Sequence, residues 1–171
     1  MHEHSPAPSA PRLSIITGSI NPIFGLIDPD GVSPLPDAVW SQTAKVREAV
    51  LETIATLAKP GTNFVFTHDG IEGERYDQDV SRSIQSTAAR RDARLIPVRL
   101  VCNEDELVRR IQSADRAPML KCTDPADAIH KSRHHAVLDP RLPGTLTLDV
   151  TRLTPEQSVE AIIAHIKRLG S

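Results

Sequence analysis

Aromatic residues are scarce in this chain: one Trp, one Tyr and three Phe, 3% of 171 residues. So few rings make a poor base-stacking surface, and nucleic acid is not expected as a partner. The formal net charge is only -2, which gives no field for holding nucleic acid or an anionic membrane, so any cationic function has to be local. Two cysteines, Cys102 and Cys122, form no CxxC spacing and no disulfide framework, and both read as reduced thiols. Apolar runs last only a few residues, too short to span a bilayer. The opening MHEHSPAPSAP lacks the basic and apolar regions of a signal peptide. A cytoplasmic protein without membrane contact is the expectation.

What is present belongs to an ordinary domain core, 39% hydrophobic and 25% charged. Length favours one domain over residues 12–171 behind an expected disordered tail at 1–11. RLSIIT, ending at Gly18, reads as a short strand. The proline-rich SINPIFGLIDPDGVSPLPD follows and forbids regular structure for most of its length. Asp37 stands where a helix cap belongs, and Val39, Thr43, Val46, Val50, Ile54 and Leu57 follow at helical spacing until Pro60 and Gly61. NFVFT predicts a buried strand with His68, Asp69 and Gly70 at its polar end.

Helical spacing returns from Asp77 to Arg91, and Leu95 to Val101 is the next strand. Asn103 and Glu106 have the spacing of a capping box opening a short helix. Residues 113–143, with Pro118, Pro125, Pro140 and Pro143 among many charges, read as a mobile or irregular region outside the core. Thr145 to Leu148 is the last strand. Thr154, Pro155 and Gln157 then start a helix whose buried face is expected to be Val159, Ile162, Ile163, Ile166 and Leu169.

Strands alternating with helices imply right-handed crossovers and a mainly parallel sheet covered on both faces. Ligands gather at the carboxyl edge of such sheets, where Gly18, Asp69 and Cys102 would lie. Arg109, Arg110, Arg116 and Lys121 follow the third strand as a row of cations suited to closing over phosphate. Blander roles stand beside these. Asp69 before Gly70 suits a turn, and so does Asp30 beside Pro29 and Gly31. Arg47 suits a surface helix position. His130 and His134 share a helical face but lack the acid of a zinc motif and read as solvated.

In their order, IITG, FVFTHDG, PVRLVCNEDELVRRIQSADRAPMLK and LTLDVTRLTPEQSVEAIIAHI resemble the P-loop small-molecule kinases of the shikimate and gluconate kinase type. The resemblance implies an α/β three-layer sandwich with a P-loop NTPase-like parallel sheet, ATP and Mg2+ as cofactors, and phosphoryl transfer to a small hydroxyl acceptor. It implies a lid over about 113–143, with Arg110 and Arg116 as pre-lid and lid arginines that meet phosphate or the adenine face and Lys121 in the same lid. It also implies Asp69 as an organiser of magnesium, Gly18 as the first glycine of the phosphate loop, and Asp30 and Arg47 on the acceptor side.

The departure from this family is the loop itself. The motif G-x-x-x-x-G-K-[ST] surrounds phosphate with backbone N–H groups and supplies a lysine, and this sequence has no Gly-Lys pair. Ser19 follows Gly18 and leads straight into INPIFGLIDPDG. A βαβ unit takes roughly thirty residues, so one strand and the first helix are expected to be missing. Two parallel strands flanking a third end about 10 Å apart, a gap a few extended residues can cross. The expected costs are an uncovered apolar patch and phosphotransferase activity that is impaired or absent. The alternative is a non-catalytic binding or regulatory module for an anionic metabolite or a protein partner.

Overall fold

In a computed structural model, residues 12–16, 36, 38–114, 116 and 122–170 are described, with backbone alone over 12–16. Gly18, Asp30, Asp37 and Lys121 lie outside the described residues. The fold is mixed α/β. Strand β1 (Arg12–Ile16) runs parallel to β2 (Thr62–Phe66), with Arg12 opposite Thr62 and Ile16 opposite Phe66. Strand β3 (Val98–Val101) runs parallel to β4 (Leu146–Asp149), with Val98 opposite Leu146. Both named ladders are parallel, as the alternation of elements required. Among the described residues they form two separate two-stranded sheets.

Helix α1 (Ala38–Leu57) and helix α2 (Arg75–Arg90) pack on each other and carry most of the buried apolar surface. Val39, Leu51, Ile54 and Val80 are buried there. Thr43 is buried too, its hydroxyl donating to the Val39 carbonyl at 3.0 Å, so the polar atom costs nothing in the core. The expected α1 stripe is corrected at two positions. Val46 and Leu57 are exposed and Leu51 faces inward instead, so the buried face is narrower than the apolar pattern.

The end of α1 is held from outside the helix. Arg91 donates to the carbonyls of Ile54 at 2.6 Å, Ala58 at 3.1 Å and Lys59 at 3.2 Å. Its guanidinium also lies over the Phe64 ring, 5.4 Å from the centroid. One cation thereby satisfies orphan carbonyls at a negative helix end and ties α1, β2 and α2 together. Gly61, at φ +77°, turns the chain into β2.

The strand expected to begin at Leu95 begins at Val98. Pro97 has no N–H for a ladder, although its carbonyl still accepts from Leu146 at 2.9 Å. Helix α3 (Glu104–Ile111) starts at Asn103, whose side chain accepts from the Glu106 N–H at 2.9 Å. Only this half of the expected capping box forms. The Asn103 N–H donates to Thr151 Oγ1 at 2.9 Å, while the Glu106 carboxylate binds Arg109 and Arg110.

The expectation that residues 113–143 are irregular is corrected by helix α4 (Pro125–His134). Asp124 caps it by accepting from the Ala126 N–H at 2.8 Å, Pro125 takes the first turn, and Ala128 is buried. Arg133 holds it to α3 through a bidentate pair with Glu104 at 2.8 and 2.7 Å. Helix α5 (Pro155–Gly170) opens on a complete capping box. The Thr154 N–H donates to Gln157 Oε1 at 2.9 Å, and the Gln157 N–H donates back to Thr154 Oγ1 at 3.2 Å. The expected burial of its apolar face is not found: no residue of α5 is fully buried, and Val159, Ile163 and Ile166 are exposed.

Candidate functional site

The carboxyl ends of β2, β3 and β4 each hand the chain to residues with chemistry. Beyond β2, His68 Nε2 lies 3.3 Å from Asp77 Oδ1, and the other Asp77 oxygen accepts from the Ile71 N–H at 2.8 Å. Asp77 is buried in the first turn of α2, where a carboxylate also suits the positive helix end. The loop then pairs with residues 136–141. Leu138 N–H donates to the Gly70 carbonyl at 2.9 Å and Glu72 N–H to the Ala136 carbonyl at 2.8 Å, on either side of the Ile71–Val137 bridge. A Cβ on Gly70 would sit 3.0 Å from the Leu138 Cβ, so close approach of two chain segments requires glycine there.

Asp69 stands in this loop and adds to the field on Lys131 of α4. Lys131 is held above its ordinary pKa first by its hydrogen bond to Asp127, at 2.9 Å, with burial opposing and Asp69 and Cys122 contributing charge. Cys122 Sγ in turn lies 3.2 Å from Asp127 Oδ2. The lysine was not singled out from sequence, because its neighbours come from three separate segments.

Beyond β3 the Cys102 thiol is pushed up, by burial first, against the opposing charge of Arg110. A raised thiol is a poor nucleophile. Arg110 Nε donates to Glu106 at 2.6 Å and its Nη2 to the Val150 carbonyl at 2.7 Å, so it fastens α3 to the end of β4. Arg109 forms two bonds of 2.7 Å to the same Glu106. Two guanidinium groups on one carboxylate pull the Glu106 pKa down to about 2. Arg116 Nε donates to the Cys122 carbonyl at 3.0 Å, drawing together the ends of the segment that contains Lys121.

Arg47 lies elsewhere, in a groove of about 470 Å³ between α1 and α2. Its Nη1 donates to the Tyr76 hydroxyl at 2.9 Å, and its guanidinium lies over that ring, 5.2 Å from the centroid. Trp40 meets Tyr76 edge to face at 5.9 Å. The Arg47 Nε is buried with no hydrogen-bond partner. Arg99 Nε is buried without a partner in the same way, so such a donor does not by itself mark a site. The signal in the sequence was slight: the chain's single Trp and single Tyr each fall in the first turn of a helix.

Among the described residues no group of three or more His, Cys, Asp or Glu is placed to hold a metal ion. His130 and His134 stack at 4.3 Å, and His134 Nδ1 bonds to the His130 carbonyl at 2.8 Å. No helix among the described residues is long and apolar enough to cross a membrane. In comparisons with known proteins, no family model, no curated protein and no solved structure matches the chain.

Proposed function

We propose that this chain is a P-loop kinase-like domain of the small-molecule kinase type, impaired or inactive as an ATP-dependent phosphotransferase. The observation that carries the reading is the motif-bearing second half of the sequence beside the absence of any Gly-Lys pair. Parallel ladders support it, with Asp69 and Cys102 following their carboxyl ends, as an α/β phosphate-handling fold requires. In the full form of this reading the sheet is the centre of a three-layer sandwich.

The residues present fit ATP and Mg2+ poorly. Arg109 and Arg110 share Glu106, and Arg110 also serves the Val150 carbonyl. Reaching a phosphate would cost Arg110 a charge-assisted bond and leave a carboxylate less compensated. Among the described residues Asp69 belongs to no group of three or more potential metal ligands, and no G-x-x-x-x-G-K-[ST] nest is encoded to hold the phosphates that usually complete magnesium's shell. Removal of one well-placed transition-state donor typically costs roughly 3 to 4 kcal/mol, and here several are missing together. A coupled ADP-release assay with Mg2+ and a panel of hydroxyl acceptors tests this. Release at background rate is expected, and acceptor-dependent turnover would sink the reading.

The Arg47 guanidinium over the Tyr76 ring at the α1–α2 groove favours the second reading, a non-catalytic module that binds an anionic metabolite, although Glu48 and Asp79 line the same groove. Arg47 and the Trp40 and Tyr76 rings would hold the anion and its apolar body in the α1–α2 groove. A screen of carboxylate and phosphate compounds should raise the melting temperature, and Arg47→Ala should remove the shift. A screen without any shift counts against this reading.

A further inference from the structure

Helix α5 carries two apolar stripes, and the fold uses one of them. Ile162, His165 and Leu169 turn inward: His165 Nε2 bonds to the Gly144 carbonyl at 2.8 Å, and a Cβ on Gly144 would meet Leu169 Cδ1 at 3.1 Å. The other stripe is Val159, Ile163 and Ile166, exposed at 54%, 45% and 43%. Their spacing of four, then three, is that of a coiled-coil seam, with Val159 and Ile166 at d positions and Ile163 at an a position. Gly170 continues the seam as the next a position.

We propose that this stripe docks on the same stripe of a second copy of the chain, the two α5 helices antiparallel about a two-fold axis. The charges flanking the seam select this occupant and this direction. Glu160 and Lys167 occupy successive e positions and both are exposed. Antiparallel pairing sets e beside e of the mate, so each Glu160 meets the other chain's Lys167, twice in every dimer. In a parallel pair e faces g, where this helix has only Ile162 and Leu169. The wider distribution agrees, since Glu156 lies in the first turn and Lys167 and Arg168 in the last. Antiparallel docking brings each acidic end to a basic end and opposes the helix dipoles.

Ile163 then packs against the mate's Ile166, and Val159 comes beside its Gly170, where Arg94 Nη1 stands 3.8 Å from the place of a Cβ. Four such layers on one short helix fall below the ~1,200 Å² of a standard stable interface, so association is weak and concentration-dependent.

Sedimentation equilibrium on the full chain over a wide concentration series tests this. The mass should rise from one chain to two. Ile163→Glu should remain monomeric at every concentration while keeping the circular-dichroism spectrum of the dilute parent chain, because nearly half of this residue is exposed in the single chain. Glu160→Lys should move the midpoint several-fold to higher concentration, and adding Lys167→Glu to it should restore the original midpoint. A monomer throughout the series, a dimer indifferent to Ile163→Glu, or a double variant no better than the single one each overturns the proposal.

Discussion

The two halves of this chain are held by different forces. In the first, α1 and α2 bury Val39, Leu51, Ile54 and Val80 against one another, and burial supplies the stability. In the second, Ile111, Ala128 and Val150 are the buried apolar residues among those described, and many joints are polar: Asn103 and Thr154 caps, Glu104 with Arg133, Glu106 with Arg109 and Arg110, and Arg94 on the Leu169 carbonyl at 2.5 Å. Burial is little changed by moderate salt or pH, while bonds of this kind respond to both. The resemblance to a phosphate-handling lid therefore lies in the half that solvent conditions disturb most easily.

Substitutions should separate the halves. Ile54→Ala should be the most damaging, costing about 2–5 kcal/mol in urea denaturation, because its side chain is buried. Ile166→Ala, exposed on α5, should leave the unfolding of dilute protein nearly unchanged. Gly70→Val should come next, at about 1–3 kcal/mol, since the new carbons meet Leu138 and His68. Thr154→Ala should cost about 0.5–2 kcal/mol by removing one side of the α5 capping box. An equal loss from Ile54→Ala and Ile166→Ala would erase the contrast.

The smallest effect expected is acid sensitivity in the second half. The Glu106 pKa is lowered from its ordinary 4.5 to about 2 by hydrogen bonds from Arg109 and Arg110. A depressed carboxylate contributes stability that is complete above about 4.5 and is lost as pH falls from there through about 2. Thermal melts across that window should fall with pH, and Glu106→Gln should flatten its share of the slope.

Much of this was legible in local sequence. The cap at Thr154 and Gln157, the cap at Asn103, and the α1 and α2 periodicities all depend on neighbours a few residues away. Helix α4 was equally local, signalled by Asp124 before Pro125, but the surrounding prolines drew the segment into a loop reading. Other features were not legible because they are made across the chain. Arg91 finds its carbonyls more than thirty residues back, Glu106 gives up half a capping box for two arginines, and Arg47 meets Tyr76 29 residues on. Periodicity likewise identified the apolar stripes of α5 without saying what covers them. Of the site residues, Asp69, Arg47, Arg110 and Arg116 fall on described segments, and their partners come from elements that sequence reading does not bring together.

Isothermal titration of the chain with ATP and Mg2+ bears most directly on the proposed kinase-like scaffold without a working phosphate cradle. No heat of specific binding in the micromolar range is expected. Saturable micromolar binding, accompanied by ADP release when an acceptor is added, would contradict it.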